Sequence, residues 1–152
     1  MLEKIDHINV VVDDLEAMVR FYRDVLGLVV SKRVCIEGSW IERTVGLVGV
    51  VAHVVYLDPP QGPRVELIEY ERPRGERPSG FSDSNTRGIR HLAFRVDNID
   101  QTVQTLRAAG VSTLSDVQQV PDSQVQYAGS VRKRLIYFHD PEGNLLELCE
   151  YK

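Results

Sequence analysis

The chain has 152 residues, 43% hydrophobic and 26% charged, which is the balance of a globular protein with room for one core but not for two ordinary independent domains. A formal charge of −4 gives no footing for nucleic acid or an anionic membrane as partner, and the basic runs RPRGERP and RKR are diluted by acidic residues elsewhere. No apolar run reaches the ~18 residues of a membrane helix, MLEKIDHI lacks the apolar stretch of a secretory signal, and Cys35 and Cys149 have no CxxC spacing, so a reducing, cytoplasmic setting is expected.

In chain order, DHINVVV (6–12) reads as a strand by its β-branched content. DDLEAMVRFYRDVLG (13–27) places Leu15, Met18, Val19, Tyr22, Val25 and Leu26 at helical spacing, with Asp13 and Asp14 as cap candidates and Gly27 as the stop. Three strands are expected next, LVVSKRVCI (28–36), GVVAHVVYLD (49–58) and RVELIEY (64–70). A Pro-, Gly-, Ser- and Arg-rich stretch (about 73–88) then reads as a linker. After it come the strand RHLAFRV (90–96), the helix NIDQTVQTLRAAG (98–110), a short strand near 111–114, an irregular stretch QQVPDSQVQYAGS (118–130), and the strands KRLIYFHD (133–140) and NLLELCEY (144–151). DPEGN (140–144) predicts a hairpin turn between the last two.

The chain repeats itself. IDHINVVVDDLEAMV from Ile5 aligns with IRHLAFRVDNIDQTV from Ile89 at an offset of 84, matching His7 with His91, Val12 with Val96 and Asp13 with Asp97. VELIEY (65–70) aligns with LELCEY (146–151) at an offset of 81. One domain of two similar modules, about 1–72 and about 89–152, is the simplest account.

Strand side chains alternate between faces, which sorts the two glutamates of each phrase. Val65, Leu67 and Glu69 share one face and Glu66, Ile68 and Tyr70 the other; Leu146, Leu148 and Glu150 stand likewise opposite Glu147, Cys149 and Tyr151. The Val/Leu face suits the helices, with Glu69 and Glu150 near strand ends and within reach of water. His7 and His91 fall on the other face with Glu66 and Glu147, and if a pseudo-twofold axis relates the modules the four can meet around it. Taken singly, a strand histidine or glutamate is more often structural than a ligand. Recurrence of both types on the same face of both modules favours a divalent metal site, in which two carboxylates cancel the charge and water or substrate fills the remaining positions. Nickel, cobalt, manganese, zinc, magnesium and iron all suit such donors.

These motifs, DHINVVVDDLEAMVRFYRDVLGL, VELIEY, GIRHLAFRVDNID and above all FHDPEGNLLELCE, resemble the vicinal oxygen chelate superfamily, which includes glyoxalases, epimerases, extradiol dioxygenases and antibiotic-resistance proteins. The resemblance spans nearly the whole chain. It implies an α+β fold of paired βαβββ modules whose curled mixed sheet surrounds a metal-centred cavity, with helices outside. The family's ligand positions fall on His7, Glu66, His91 and Glu147, a set similar to bacterial glyoxalase I and methylmalonyl-CoA epimerase. It implies one divalent ion per site, a small-molecule substrate, a homodimer, and proton transfer next to a carbonyl by Glu147 and Glu66. An iron-dependent ring-cleaving dioxygenase and a non-catalytic binding protein are the alternatives.

Substrate-contact candidates are His53 in the third strand, Trp40 and Arg43 in SWIERTVGLVG (39–49), and Arg132 and Arg134, which suit an anionic group. For each of these, a packed or solvated structural role is the commoner fate.

Overall fold

A computed structural model describes all residues 1–152. In the first half, Met1–Arg77, the β-branched segment after Asp6 forms strand β1 (His7–Val11). The chain turns at Asp14, whose carboxylate accepts from Ala17 N at 2.9 Å, and enters helix α1 (Leu15–Arg20). This helix runs on as a π-turn over Phe21–Val25 and stops at Gly27, whose φ of +76° is a conformation that favours glycine. Strands β2 (Val29–Glu37), β3 (Val51–Asp58) and β4 (Arg64–Arg72) follow, with helix α2 (Ser39–Val45) inserted between β2 and β3. They form a four-stranded sheet in the order β1-β4-β3-β2, in which only β1 and β4 run parallel.

The second half, Pro78–Lys152, repeats the plan. Strand β5 (His91–Arg95) leads to helix α3 (Ile99–Ala108), capped by Asn98, which accepts from Gln101 N at 3.1 Å. Strands β6 (Gln118–Gln119), β7 (Lys133–His139) and β8 (Leu145–Tyr151) complete a sheet in the order β5-β8-β7-β6, with β5 parallel to β8. Asp140 shapes the β7–β8 turn by accepting from Glu142 N at 3.0 Å and Asn144 N at 2.9 Å. Each half is thus an open βαβββ unit, the α+β arrangement expected from the sequence. No helix is long and apolar enough to cross a membrane.

Helix α1 lies against β3 and β4, and its Leu15, Met18 and Val19 are buried together with Leu57, Val65 and Leu67. The other face of that sheet carries a separate apolar cluster, in which Ile41 of α2 joins Val50, Ala52, Val54 and Ile68. The glycine-spaced stretch 39–49 carries no periodic helix signal, yet it forms α2, which lies on the face away from α1. The short strand expected near 111–114 is instead β6, inside the stretch read as irregular, while Thr113 makes only an isolated bridge to Phe138. The segment read as linker is partly built into the second half, where Arg90 Nη1 donates to Phe81 O at 2.8 Å and His139 Nε2 lies 3.0 Å from Ser82 O.

Glu69 and Glu150 correct a sequence expectation. Neither simply reaches water; each carboxylate accepts a hydrogen bond from the first backbone N–H of the helix packed above it. Leu15 N donates to Glu69 at 3.2 Å, and Ile99 N donates to Glu150 at 3.1 Å. The N-terminal N–H groups of a helix lack partners and carry partial positive charge, which a carboxylate satisfies. Glu150 is the more committed of the two: its side chain is 1% exposed and also pairs with Lys152 at 2.7 Å and Arg134 at 3.2 Å. The Lys152 ammonium, then the Ile99 N–H and the Arg134 guanidinium, hold its carboxyl below the usual value despite burial.

A folded-state value below the unfolded one means that Glu150 stabilises the fold fully above the ordinary glutamate value of 4.5 and loses this contribution as pH falls through the depressed value. Glu150→Gln should therefore destabilise the protein at neutral pH by roughly 2–4 kcal/mol and flatten the acid limb of its stability curve. Urea denaturation as a function of pH measures both effects, and Glu69→Gln should cost less.

Candidate metal centre

The parallel pairing of first and last strand decides which side chains meet. Asn9 lies opposite Glu66 in β1–β4, and Ala93 lies opposite Glu147 in β5–β8. Each histidine stands two residues earlier on its strand and shares the face of its glutamate. His7 Nε2 comes to 3.5 Å from Glu66 Oε2, and His91 Nε2 to 3.2 Å from Glu147 Oε2. Two donors each about 2.1 Å from one metal ion are about 3.0–3.5 Å apart at octahedral or tetrahedral angles, so each pair has the spacing of neighbouring ligands. The donor chemistry fits a divalent ion. Each half brings together one histidine and one glutamate, and no group of three or more potential ligands is gathered in the structure.

The groups around each pair hold it in place. In the first half Asp6 Oδ2 lies 3.0 Å from His7 Nδ1, the arrangement that leaves Nε2 free to ligate, and this contact holds the Asp6 carboxyl below its usual value. Asn9 Nδ2 donates to Glu66 Oε2 at 2.8 Å. In the second half Glu147 is nearly sealed, its side chain 3% exposed. Its Oε2 faces His91, while its buried Oε1 has Lys133 Nζ at 2.8 Å, an ion pair whose approach is off the line of a well-formed hydrogen bond. Burial pulls the Lys133 ammonium down, but contact with the Glu147 carboxylate and its charge outweigh burial and raise it.

A third residue type belongs to both sets, and the sequence reading passed over it. Tyr56 lies opposite Glu66 across β3–β4, and Tyr137 lies opposite Glu147 across β7–β8. The Tyr56 phenol donates to Glu66, and this hydrogen bond, with burial and the carboxylate's charge, pushes it up to about 12. Tyr137 is raised by burial and then by Glu147. Their rings lie 6.2 Å from His7 and 5.1 Å from His91. The signal was available: VVYL (54–57) and LIYF (135–138) align at the same offset of 81 as the glutamates.

The remaining candidates stand elsewhere. His53 lies opposite Glu69 on the helix-covered face and pairs with Glu71 at 3.3 Å. Trp40 is 55% exposed on α2, and Arg43 is exposed on the same helix. Arg134 chelates Asp100 at 2.7 and 2.9 Å and reaches Glu150, so it braces α3 rather than facing Glu147. Arg132 is exposed, 3.8 Å from Asp122.

Residues 4–148 match the family model of the glyoxalase/bleomycin resistance protein/dioxygenase superfamily. The chain belongs to that superfamily. Among its relatives, the mouse mitochondrial methylmalonyl-CoA epimerase is 32% identical over 97% of this chain and 72% of its own length. A 2-epi-5-epi-valiolone epimerase from Actinomyces is 29% identical over 95% of this chain and 77% of its own length. A glyoxalase family protein of known structure from Bacillus cereus superposes with a TM-score of 0.83 at 28% identity, covering 99% of this chain and 95% of that one. The superfamily includes epimerases and lyases.

The tyrosine–glutamate contact has a spectroscopic consequence. In an alkaline absorbance titration Tyr56 should ionise near 12, and in Glu66→Gln it should move back toward the ordinary 10.0. An unchanged curve in the variant would show that the phenol does not rest on Glu66.

Proposed function

We propose that this glyoxalase-superfamily protein is a metal-dependent isomerase, epimerase or lyase that moves a proton at a carbon next to a carbonyl. His7 and Glu66 from the first half and His91 and Glu147 from the second are the proposed ligands of one divalent ion. The observation that carries the reading is the doubled His–Glu pair at ligand spacing, 3.5 and 3.2 Å, each on the same face and each backed by a tyrosine. The epimerases among the relatives support it.

The ion, when bound, supplies Lewis-acid activation of a substrate carbonyl, which lowers the cost of removing the neighbouring proton. The chain supplies the rest. A carboxylate held beside the carbon takes the proton, and the second carboxylate returns it. Tyr56 and Asn9 fix the orientation of Glu66; Lys133 and Tyr137 fix Glu147. Burial of Glu147 keeps bulk water from competing for the proton in transit.

Deuterium incorporation from heavy water at the activated carbon, followed by NMR across a panel of acyl thioesters and hemithioacetals, tests the reaction. Glu66→Gln and Glu147→Gln should each lower the exchange rate by about 10²–10⁴-fold while retaining some metal. Full exchange in both variants would remove the base assignment. Oxygen uptake with catechols and no exchange would instead make the protein a ring-cleaving dioxygenase.

A further inference from the structure

The two halves share their histidine, tyrosine and glutamate but differ beside them, and the difference has a chemical direction. On β8, Glu147, Cys149 and Tyr151 share one face. Arg95, four residues beyond His91 on β5, lies opposite Cys149, and Lys133 on β7 lies opposite Tyr151. The Arg95 guanidinium carbon is 5.2 Å and the Lys133 nitrogen 5.8 Å from the centre of the Tyr151 ring. Tyr127 packs edge-on against the same ring at 5.5 Å. In the first half the matching positions are Val11, Ala52 and Tyr70. There Ala52 is buried, Tyr70 packs against its cluster, and α2 contributes Ile41 above them. In the second half only a three-residue 3-10 turn, Ala128–Ser130, stands between β6 and β7 where α2 stands in the first, and it buries no residue. At the equivalent place the tyrosine persists, and two cations replace an apolar pair.

The charge balance of this face is uneven. Lys133 is committed to Glu147, whereas Arg95 is exposed, has no ion pair and lies over the Tyr151 ring. Two positive charges therefore face one negative charge. The lysine is also mostly buried, with 18% of its side chain exposed, and a buried ammonium gains from a second anionic neighbour. A guanidinium that lies over an aromatic ring and pairs with no carboxylate keeps its N–H donors free for the oxygens of a carboxylate or phosphate.

Resting on the function proposed above, we propose that Arg95, Lys133 and Tyr151 form a subsite for an anionic group of the substrate, a carboxylate or a phosphate, next to the His91–Glu147 pair. The substrate is thus a carbonyl compound carrying a negative charge, with the tyrosine as the platform against which its anionic end is laid. Arg132 and Arg134, the arginines the sequence offers for this work, are engaged by Asp122, Asp100 and Glu150.

The test is calorimetric titration of the chelator-treated full chain with malonate, inorganic phosphate and neutral malonamide, in the unsubstituted protein and in Arg95→Met, Arg95→Lys and Arg132→Met. Malonate or phosphate should bind saturably and malonamide should not. Arg95→Met should weaken anion binding by about tenfold or more, the loss of one charge-assisted contact. Arg95→Lys should recover part of it, and Arg132→Met should leave it unchanged. Whichever anion binds more tightly identifies the group as carboxylate or phosphate. Equal binding of malonamide, or binding indifferent to Arg95→Met, overturns the subsite. Repeating the series with added manganese separates the two proposals. Arg95-dependent anion binding in a protein that takes up no metal keeps the subsite and removes the metal reading; malonate binding that needs manganese and ignores Arg95 does the reverse.

Discussion

Everything at the site depends on the register of one parallel strand pair in each half. Pairing Asn9 with Glu66 and Ala93 with Glu147 sets each histidine beside its carboxylate, and a slip of one residue would turn that carboxylate under the helices. The alternate residues hold the register, because Val65, Leu67, Leu146 and Leu148 are buried. The second glutamate of each phrase adds a polar lock by accepting from the first N–H of α1 or α3. Each terminal strand thus presents one glutamate to a histidine and the other to a helix end. The carboxylate that meets the histidine and the carboxylate that anchors the helix come from the same six residues.

The arrangement occurs twice in the chain, and the two copies differ in what lies beside it. The first half covers the face beside its pair with α2 and an apolar cluster; the second leaves that face cationic and aromatic around Tyr151. The carboxylates differ in the same sense, since Glu66 is held by a neutral amide and Glu147 by an ammonium in a nearly sealed position. Within this chain the two halves agree in the His–Glu–Tyr sets and differ in the residues next to them.

Much of this was legible in the sequence because the information is periodic. Alternation separated Glu66 from Glu69 and Glu147 from Glu150, and the repeat picked out His7 and His91. What escaped was depth, pairing and irregularity. Alternation gives a side chain's face but not its burial, so Glu150 looked near water although it is sealed beneath α3. Helix α2 is two turns long, and β6 is two residues, too short for either to carry a periodic signal. Arg134 looked like an anion contact because its partner Asp100 lies 34 residues away and only the fold brings the two together. Tyr56 and Tyr137 were readable from the repeat, yet a tyrosine in a strand looks like ordinary core until its hydroxyl is seen to meet a carboxylate.

Metal affinity tests the reading of the paired histidines and glutamates most directly. Chelator-treated protein would be titrated calorimetrically with manganese, cobalt, nickel, zinc and iron(II), beside His7→Ala and Glu147→Ala. The expected result is tight uptake of about one ion per chain, lost or strongly weakened in both variants. No uptake of any ion, or uptake unchanged in both variants, would mean that the doubled pairs are structural and do not make a metal centre.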